Sequence, residues 1–235
     1  MKQAIVLITF FICCTMVQAQ SAAIKDKLND SSVIKTEDGV LLPANLWKQM
    51  LATGKFRMRT DKKAENTFVV YALSDDDYNA RMIRDKPKES TFFKTGDNFS
   101  LNERDINGNK IKSKELKGTI LVINFWFVGC PPCRKEIPEL NKIVAEFKDT
   151  ANIKFIAIAL DRRDALEDFL ASTPFNYQIV ADGKYTASSY GVHLFPTHLI
   201  VDGDGKIYFH TSGLSMGTAF WIKKSITELL NKRHA

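Results

Sequence analysis

The sequence predicts an α/β sandwich: a central mixed sheet flanked by helices, opened by an N-terminal hairpin and preceded by a small α+β unit. Three observations carry this prediction. Thr119 to Phe127 (TILVINFWF) and Ile153 to Leu160 (IKFIAIAL) are apolar without alternation, so each fits a strand covered on both faces, as parallel pairing requires. Each run is followed by a helical stripe, first Ile137, Leu140, Ile143, Val144 and Phe147, then Leu166, Phe169 and Leu170. Thr197 to Val201 and Lys206 to His210 read as two strands joined by Asp202-Gly203-Asp204-Gly205, a hairpin that makes the sheet mixed.

From the N-terminus, Met1-Lys2-Gln3 is a short basic start, Ala4 to Val17 an apolar core, and Val17-Gln18-Ala19 a small-residue cleavage pattern. Residues 1–19 therefore read as a secretory signal peptide with Gln20 as the mature start, and the protein as exported, in the periplasm. A lipid anchor on Cys13 or Cys14 fits less well, because Ile12 and Cys13, the residues before them, are not the small residue such processing wants. Residues 20–38 are polar and weakly patterned, so no element is expected there. Within a first unit over residues 20–90, Pro43 opens a helix with Leu46, Trp47, Met50 and Leu51 on one face, and Gly54 stands where a C-cap belongs. Lys55 to Arg59 and Thr67 to Leu73 have strand composition, and Asp75-Asp76-Asp77 starts a helix or turn. This unit carries no constellation of chemical groups. A charged linker, Arg84 to Ser90, leads to a second unit over residues 91–235.

In the second unit Asn107-Gly108-Asn109 is a hairpin signal between Phe99–Ile106 and Lys110–Ile111, and Ser113 to Gly118 is a helical turn into the central strand. Asp161 is placed to cap the second helix. Tyr177 to Val180 reads as a strand, Ala187 to Tyr190 as a short helix, and Ile222, Ile226, Leu229 and Leu230 as the buried stripe of a C-terminal helix. The DxDG at 202–205 has the start of a calcium loop, but its twelfth position is Gly213 rather than Glu, so a turn is the better reading.

The net charge of +6 is spread as Lys and Arg among Asp and Glu along the whole chain, which argues for a solvated mixed surface and against nucleic-acid binding. With the signal removed, Cys130 and Cys133 are the cysteines left. Their loop is too small to restrain an unfolded chain much, so redox chemistry explains them better than stapling does. They sit at a strand-to-helix turn, with Cys130 just ahead of the helix, where unpaired N–H groups and the helix dipole favour a thiolate. A zinc site would want further ligands, and no second C-x-x-C exists while His193, His198, His210 and His234 are scattered.

With Cys130-Pro131-Pro132-Cys133 at that turn, Glu136 three residues and Pro138 five residues past Cys133, and Phe195-Pro196-Thr197 leading into a strand, residues 92–235 resemble the thioredoxin superfamily. The resemblance is to its exported TlpA/ResA-like thiol–disulfide oxidoreductases, and it implies a thioredoxin-like sandwich. It implies that an exposed Cys130 attacks a partner disulfide and that Cys133 resolves the mixed disulfide, so the pair is a redox-active disulfide and no other cofactor or metal is required. It further implies a cis Phe195–Pro196 bond in a loop that pairs with substrate backbone, making Phe195, Pro196 and Gly129 the substrate-binding surface. Glu136 has a plain reading as a first-turn acid complementing the helix dipole; the resemblance implies a proton shuttle near Cys133 instead, the more so because Asn124 stands where thioredoxin has an acid. Two departures stand out: Gly129 replaces the Trp common before the first cysteine, and Phe195 before the proline is bulky. Pro131 and Pro132 remove N–H donors from the Cys130 thiolate, which poises the pair toward the reducing side. The implied partners are protein disulfides and a membrane thiol donor, with cytochrome c maturation as one setting. A copper-binding, Sco-like metallochaperone using the cysteines and His193 or His198 is the alternative, although such relatives tend to space their cysteines more widely. A peroxidase lacks its Thr-x-x-Cys approach here.

Overall fold

The computed structural model describes residues 28–29 and 31–234. The signal-peptide and lipid-anchor readings fall outside them. The chain divides into two compact units between Arg81 and Met82.

The first unit is a three-stranded sheet with a helix. Its strands β1 (Val33–Thr36), β2 (Phe56–Thr60) and β3 (Thr67–Ala72) run in the order β1-β3-β2, with β1 parallel and β2 antiparallel to β3. Helix α1 (Ala44–Ala52) packs Trp47, Met50 and Leu51 against Ile34, Phe68 and Val70. Gly54, at φ 74°, follows its end in the left-handed conformation that favours glycine. Strand β1 lies inside the stretch expected to form no element. It buries Ile34 alone and exists through parallel pairing with β3, a partner far along the chain, so local pattern could not reveal it. Helix α2 (Asp75–Arg84) starts on a reciprocal cap: the Ser74 hydroxyl takes the Asp77 N–H and donates to the Asp77 carboxylate.

The second unit is built on a five-stranded mixed sheet in the order β10-β9-β6-β7-β8. Strands β6 (Ile120–Trp126), β7 (Ile153–Ala159) and β8 (Gln178–Val180) are parallel; β9 (Thr197–Val201) is antiparallel to β6, and β10 (Ile207–Ser212) to β9. The expected sandwich is therefore observed. Every residue of β6 is buried, and its alternation serves two cores. Ile120, Val122 and Trp126 face α3 (Pro131–Glu146), α4 (Arg163–Ser172) and α6 (Thr218–His234); Leu121, Ile123 and Phe125 face Phe99, Leu101, Ile111 and α5 (Lys184–Ser189). The 202–205 turn is closed by Asp202 Oδ1, which accepts the N–H groups of Asp204 and Lys206.

The N-terminal hairpin is shorter than the sequence suggests, with β4 (Asn102–Arg104) and β5 (Lys110–Lys112). Its turn is organised by buried Asp105, whose carboxylate accepts the N–H groups of Asn107 and Asn109 and the side-chain amides of Asn109 and Gln178. Ile106 N–H donates to Ile179 O, so the turn is tied to the edge strand β8. Burial alone would raise the Asp105 carboxyl; the hydrogen bonds from Asn109 and Gln178 outweigh it and hold it below its ordinary value. A carboxyl lowered on folding adds stability above its unfolded pKa of about 3.9 and loses it as the pH falls through the folded value. Replacing Asp105 with Ala strands several donors and should cost about 1–3 kcal/mol at neutral pH. In urea titrations the gap from the natural protein should narrow below about pH 4.

Candidate active site

The site forms where β6 leaves the sheet. Four residues after Trp126, Cys130 takes the N-cap position of α3 in an extended conformation (φ −92°, ψ 101°), and its sulfur is bonded to that of Cys133 at 2.02 Å. The Cys133 N–H donates to Cys130 Sγ at 3.2 Å. Pro131 and Pro132 occupy the first two helical positions and carry no N–H, so the third position supplies the donor that reaches the first sulfur.

Cys130 is not exposed as expected. It is 2 % accessible and Cys133 1 %, because both lie in the core that holds Trp126, Ile137 and Leu140. Phe127, Val128 and Phe195 pack against the same core, and the Phe127 and Phe195 rings meet edge to face at 5.5 Å. An N-cap at the end of a buried strand inherits that strand's depth, which the cysteine spacing does not report. The neighbours Gly129 and Pro131 are exposed. A Cβ on Gly129 would touch only the Phe127 ring, at 3.7 Å, so the place of the missing tryptophan is open.

Asp161 was expected to cap α4 and does something else. The position before α4 is Arg162, which makes no side-chain cap; Asp161 Oδ2 accepts the N–H of Val128 at 2.7 Å. Its carbonyl accepts from Asp182, and Leu160 N–H donates to Trp126 O. The exit of β7 therefore fastens the loop that presents Cys130. Asp161 is a residue of the site that sequence reasoning assigned to the wrong element.

The Phe195–Pro196 peptide is cis. Pro196 is buried and Phe195 half-buried. The loop is fixed from both sides: Gly213 N–H donates to Pro196 O at 2.7 Å, and the Thr197 hydroxyl donates to Leu194 O at 2.7 Å. Phe195 packs against the core that holds the two cysteines and also against the core on the other face of the sheet.

Glu136 lies one turn past Cys133 on the buried face of α3, with its side chain 9 % accessible. A carboxylate that merely complemented the helix dipole would stay in water. Here Glu136 Oε2 shares a 2.8 Å hydrogen bond with His198 Nε2. His198, on β9, is 1 % accessible and stands opposite Asn124 of β6. Glu136 Oε1, His198 Nδ1, Asn124 Oδ1 and the Tyr177 hydroxyl are buried without a partner among the described residues. Burial, and after it the charge of Glu136, pushes the Tyr177 hydroxyl far up, so it stays neutral. The copper-binding alternative offers His193 or His198 as a ligand. The structure separates them: His193 is exposed, with Nδ1 2.8 Å from Gly191 O and its ring against Phe92. Among the described residues no group of three or more His, Cys, Asp or Glu is arranged to hold a metal ion.

A mixed sheet, a cysteine pair at a helix start and a cis-proline loop beside it constitute the thioredoxin fold. Residues 94–210 match the profile of the AhpC/TSA family. Thiol-disulfide oxidoreductase ResA of Bacillus anthracis is 34% identical over 105 residues, which are 44% of this chain and 60% of that protein. ResA of Halalkalibacterium halodurans is 31% identical over 121 residues, 50% of this chain and 67% of its own. The match thus spans about 60% of the length of the former and two thirds of the latter. Among solved structures, the thioredoxin domain of a thiol-disulfide oxidoreductase from Bacteroides vulgatus aligns with a TM-score of 0.50 and 27% identity, covering 56% of this chain and 97% of that one. A thiol:disulfide interchange protein from Bacteroides sp. gives 0.50 and 27%, covering 60% and 93%. The chain belongs to the TlpA/ResA-like branch of the thioredoxin superfamily.

Because Val128 N–H has Asp161 as its partner, Asp161→Ala should destabilise the oxidised protein by about 1–3 kcal/mol. Asp161→Asn, which keeps a carbonyl acceptor, should lose less than half of that. Urea unfolding of both variants checks the pair.

Proposed function

We propose that the protein is an exported thiol–disulfide oxidoreductase that reduces disulfides in protein substrates outside the cytoplasm. The observation that carries this reading is the Cys130–Cys133 disulfide at the start of α3, set in a core against which Phe195 also packs. In the reduced form the Cys130 thiolate attacks a substrate disulfide, releasing one substrate thiol and forming a mixed disulfide. Cys133 then displaces the second substrate sulfur, and the Cys130–Cys133 bond forms as the substrate gains two electrons. Cys130 suits the first role because its neighbours Gly129 and Pro131 open onto solvent. Cys133, one turn inside the core, suits the second.

Gly129, Phe195 and Pro196 form the surface a substrate peptide meets, with the proline loop offering backbone for strand-like pairing. Glu136 takes up the proton that Cys133 loses. The redox-active disulfide is the whole of the chemistry, with no added cofactor. The basic and apolar N-terminal stretch ending at Ala19 supports export, and no helix among the described residues is long and apolar enough to cross a membrane. Periplasmic residence, re-reduction by a membrane thiol donor and a setting in cytochrome c maturation, which the family resemblance implies, complete the proposal.

Equilibration of the Cys130/Cys133 couple with glutathione or dithiothreitol should give a midpoint near the thioredoxin value of about −270 mV. A value near about −120 mV would make the protein an oxidant instead.

A further inference from the structure

His198 is among the most buried polar groups of the described residues and bonds Glu136, on the helix that carries Cys133. We propose that His198 is a positioning residue for the thiol exchange: its Nε2–H donates to Glu136 Oε2, keeps that carboxylate charged within the core, and leaves Oε1 to receive the proton of Cys133. The inference deepens the oxidoreductase reading and rests on it.

Geometry supports each part. A carboxylate on the buried face of α3, its side chain 9 % accessible, is disfavoured in its charged form unless a donor faces it. His198 Nε2, at 2.8 Å, is the contact Glu136 makes, and it is made through Oε2. The other oxygen is buried and unpartnered. Cys133 and Glu136 are three apart on one helix and both point into the core, so they are neighbours on that face. The imidazole cannot drift: β9 holds His198 between Asn124 of β6 and Thr211 of β10.

The groups around the pair leave it to act alone. Asn124 does not titrate, and Tyr177 is held neutral by burial. Ile222 and Ile226 of α6 contribute apolar surface, while Lys223 and Lys224 are engaged with Glu146 and Glu228. His210 of β10 belongs to the opposite face, where the Ser90 N–H donates to its Nδ1 and Phe93 packs beside it.

In the resolving step the S–H proton of Cys133 passes to Glu136 Oε1. The Cys133 thiolate then attacks Cys130 Sγ, the bond from Cys130 to the substrate sulfur breaks, and that sulfur leaves with the electron pair. The two cysteines are oxidised together as the substrate disulfide is reduced by two electrons. Thiol and carboxylate become thiolate and carboxylic acid, so the core gains no net charge.

The test is stopped-flow reaction of the fully reduced protein with 5,5′-dithiobis(2-nitrobenzoate). Attack by Cys130 releases the first thionitrobenzoate and resolution by Cys133 the second, and the second rate is followed against pH. His198→Leu removes the donor, so the midpoint of the second-phase profile should rise by about one pH unit, with an approximately tenfold slower second phase on its lower limb. His198→Gln presents an amide N–H near the same place and should restore the natural profile within a few tenths of a unit. Should His198→Leu fail to fold, His198→Asn, whose shorter amide does not reach Oε2, replaces it with the same expected shift. A midpoint unmoved in the donor-less variant overturns the proposal, as does a His198→Gln profile displaced as far as that of His198→Leu. If the natural protein shows no thionitrobenzoate release, the oxidoreductase reading falls and this inference with it; two normal phases with an unmoved midpoint sink the role of His198 alone.

Discussion

The complete burial of β6 is the constraint from which the site follows. A strand covered on both faces cannot end gradually, because each backbone group beyond its last ladder bond needs a partner. The chain supplies these from the two strands beside it. Leu160 N–H of the β7 exit bonds Trp126 O, and Asp161 takes the Val128 N–H. On the other side β9 runs antiparallel to β6, so its beginning lies at the end where β6 finishes. The exits of two parallel strands and the entrance of an antiparallel one thus meet at one edge of the sheet, the position where open α/β sheets bind their ligands. Cys130 comes from the first, Asp161 from the second, and Phe195, Pro196 and His198 from the third.

What the sequence made legible is what local pattern encodes. The apolar runs of β6 and β7 are long enough to rule out a half-solvated strand, and the helical stripe after Cys133 shares its boundary with the cysteine pair. The proline loop could be read only through resemblance, since Phe195-Pro196-Thr197 carries no periodic signal. The features that escaped are set by partners distant in sequence. Strand β1 is too short to show a period. Asp161 has the residue type and place of a helix cap, and nothing local reveals that the N–H of Val128 lies nearer. His193 and His198 stand five residues apart and look alike on paper; the register of β9 against β6 turns His198 into the core, while His193 lies in the loop before β9 and faces solvent.

The burial of Cys130 has a similar origin. Helix N-termini at a protein surface are open, and the sequence offers no reason to think otherwise here. Here the two cysteines lie in the core, and the Phe127 and Phe195 rings, in contact with each other, pack against it.

Why the core keeps a Glu–His pair is a question of energy before it is one of chemistry. Desolvating such a pair costs several kcal/mol, and apolar replacements of similar volume often match or exceed its stability. Stability alone is therefore a poor reason for Glu136 and His198, and the unpartnered Glu136 Oε1, His198 Nδ1 and Asn124 Oδ1 around them weaken it further. Their place beside Cys133 supplies a better one. On the proposed mechanism the two sulfurs, both buried, need different treatment: the attacking one few N–H donors, the resolving one a way to lose a proton inside a dry core. In that proposal Pro131 and Pro132 meet the first need by withholding donors, and a buried carboxylate held by a fixed imidazole meets the second. One turn of helix thus separates two cysteines of the same type into two different reagents.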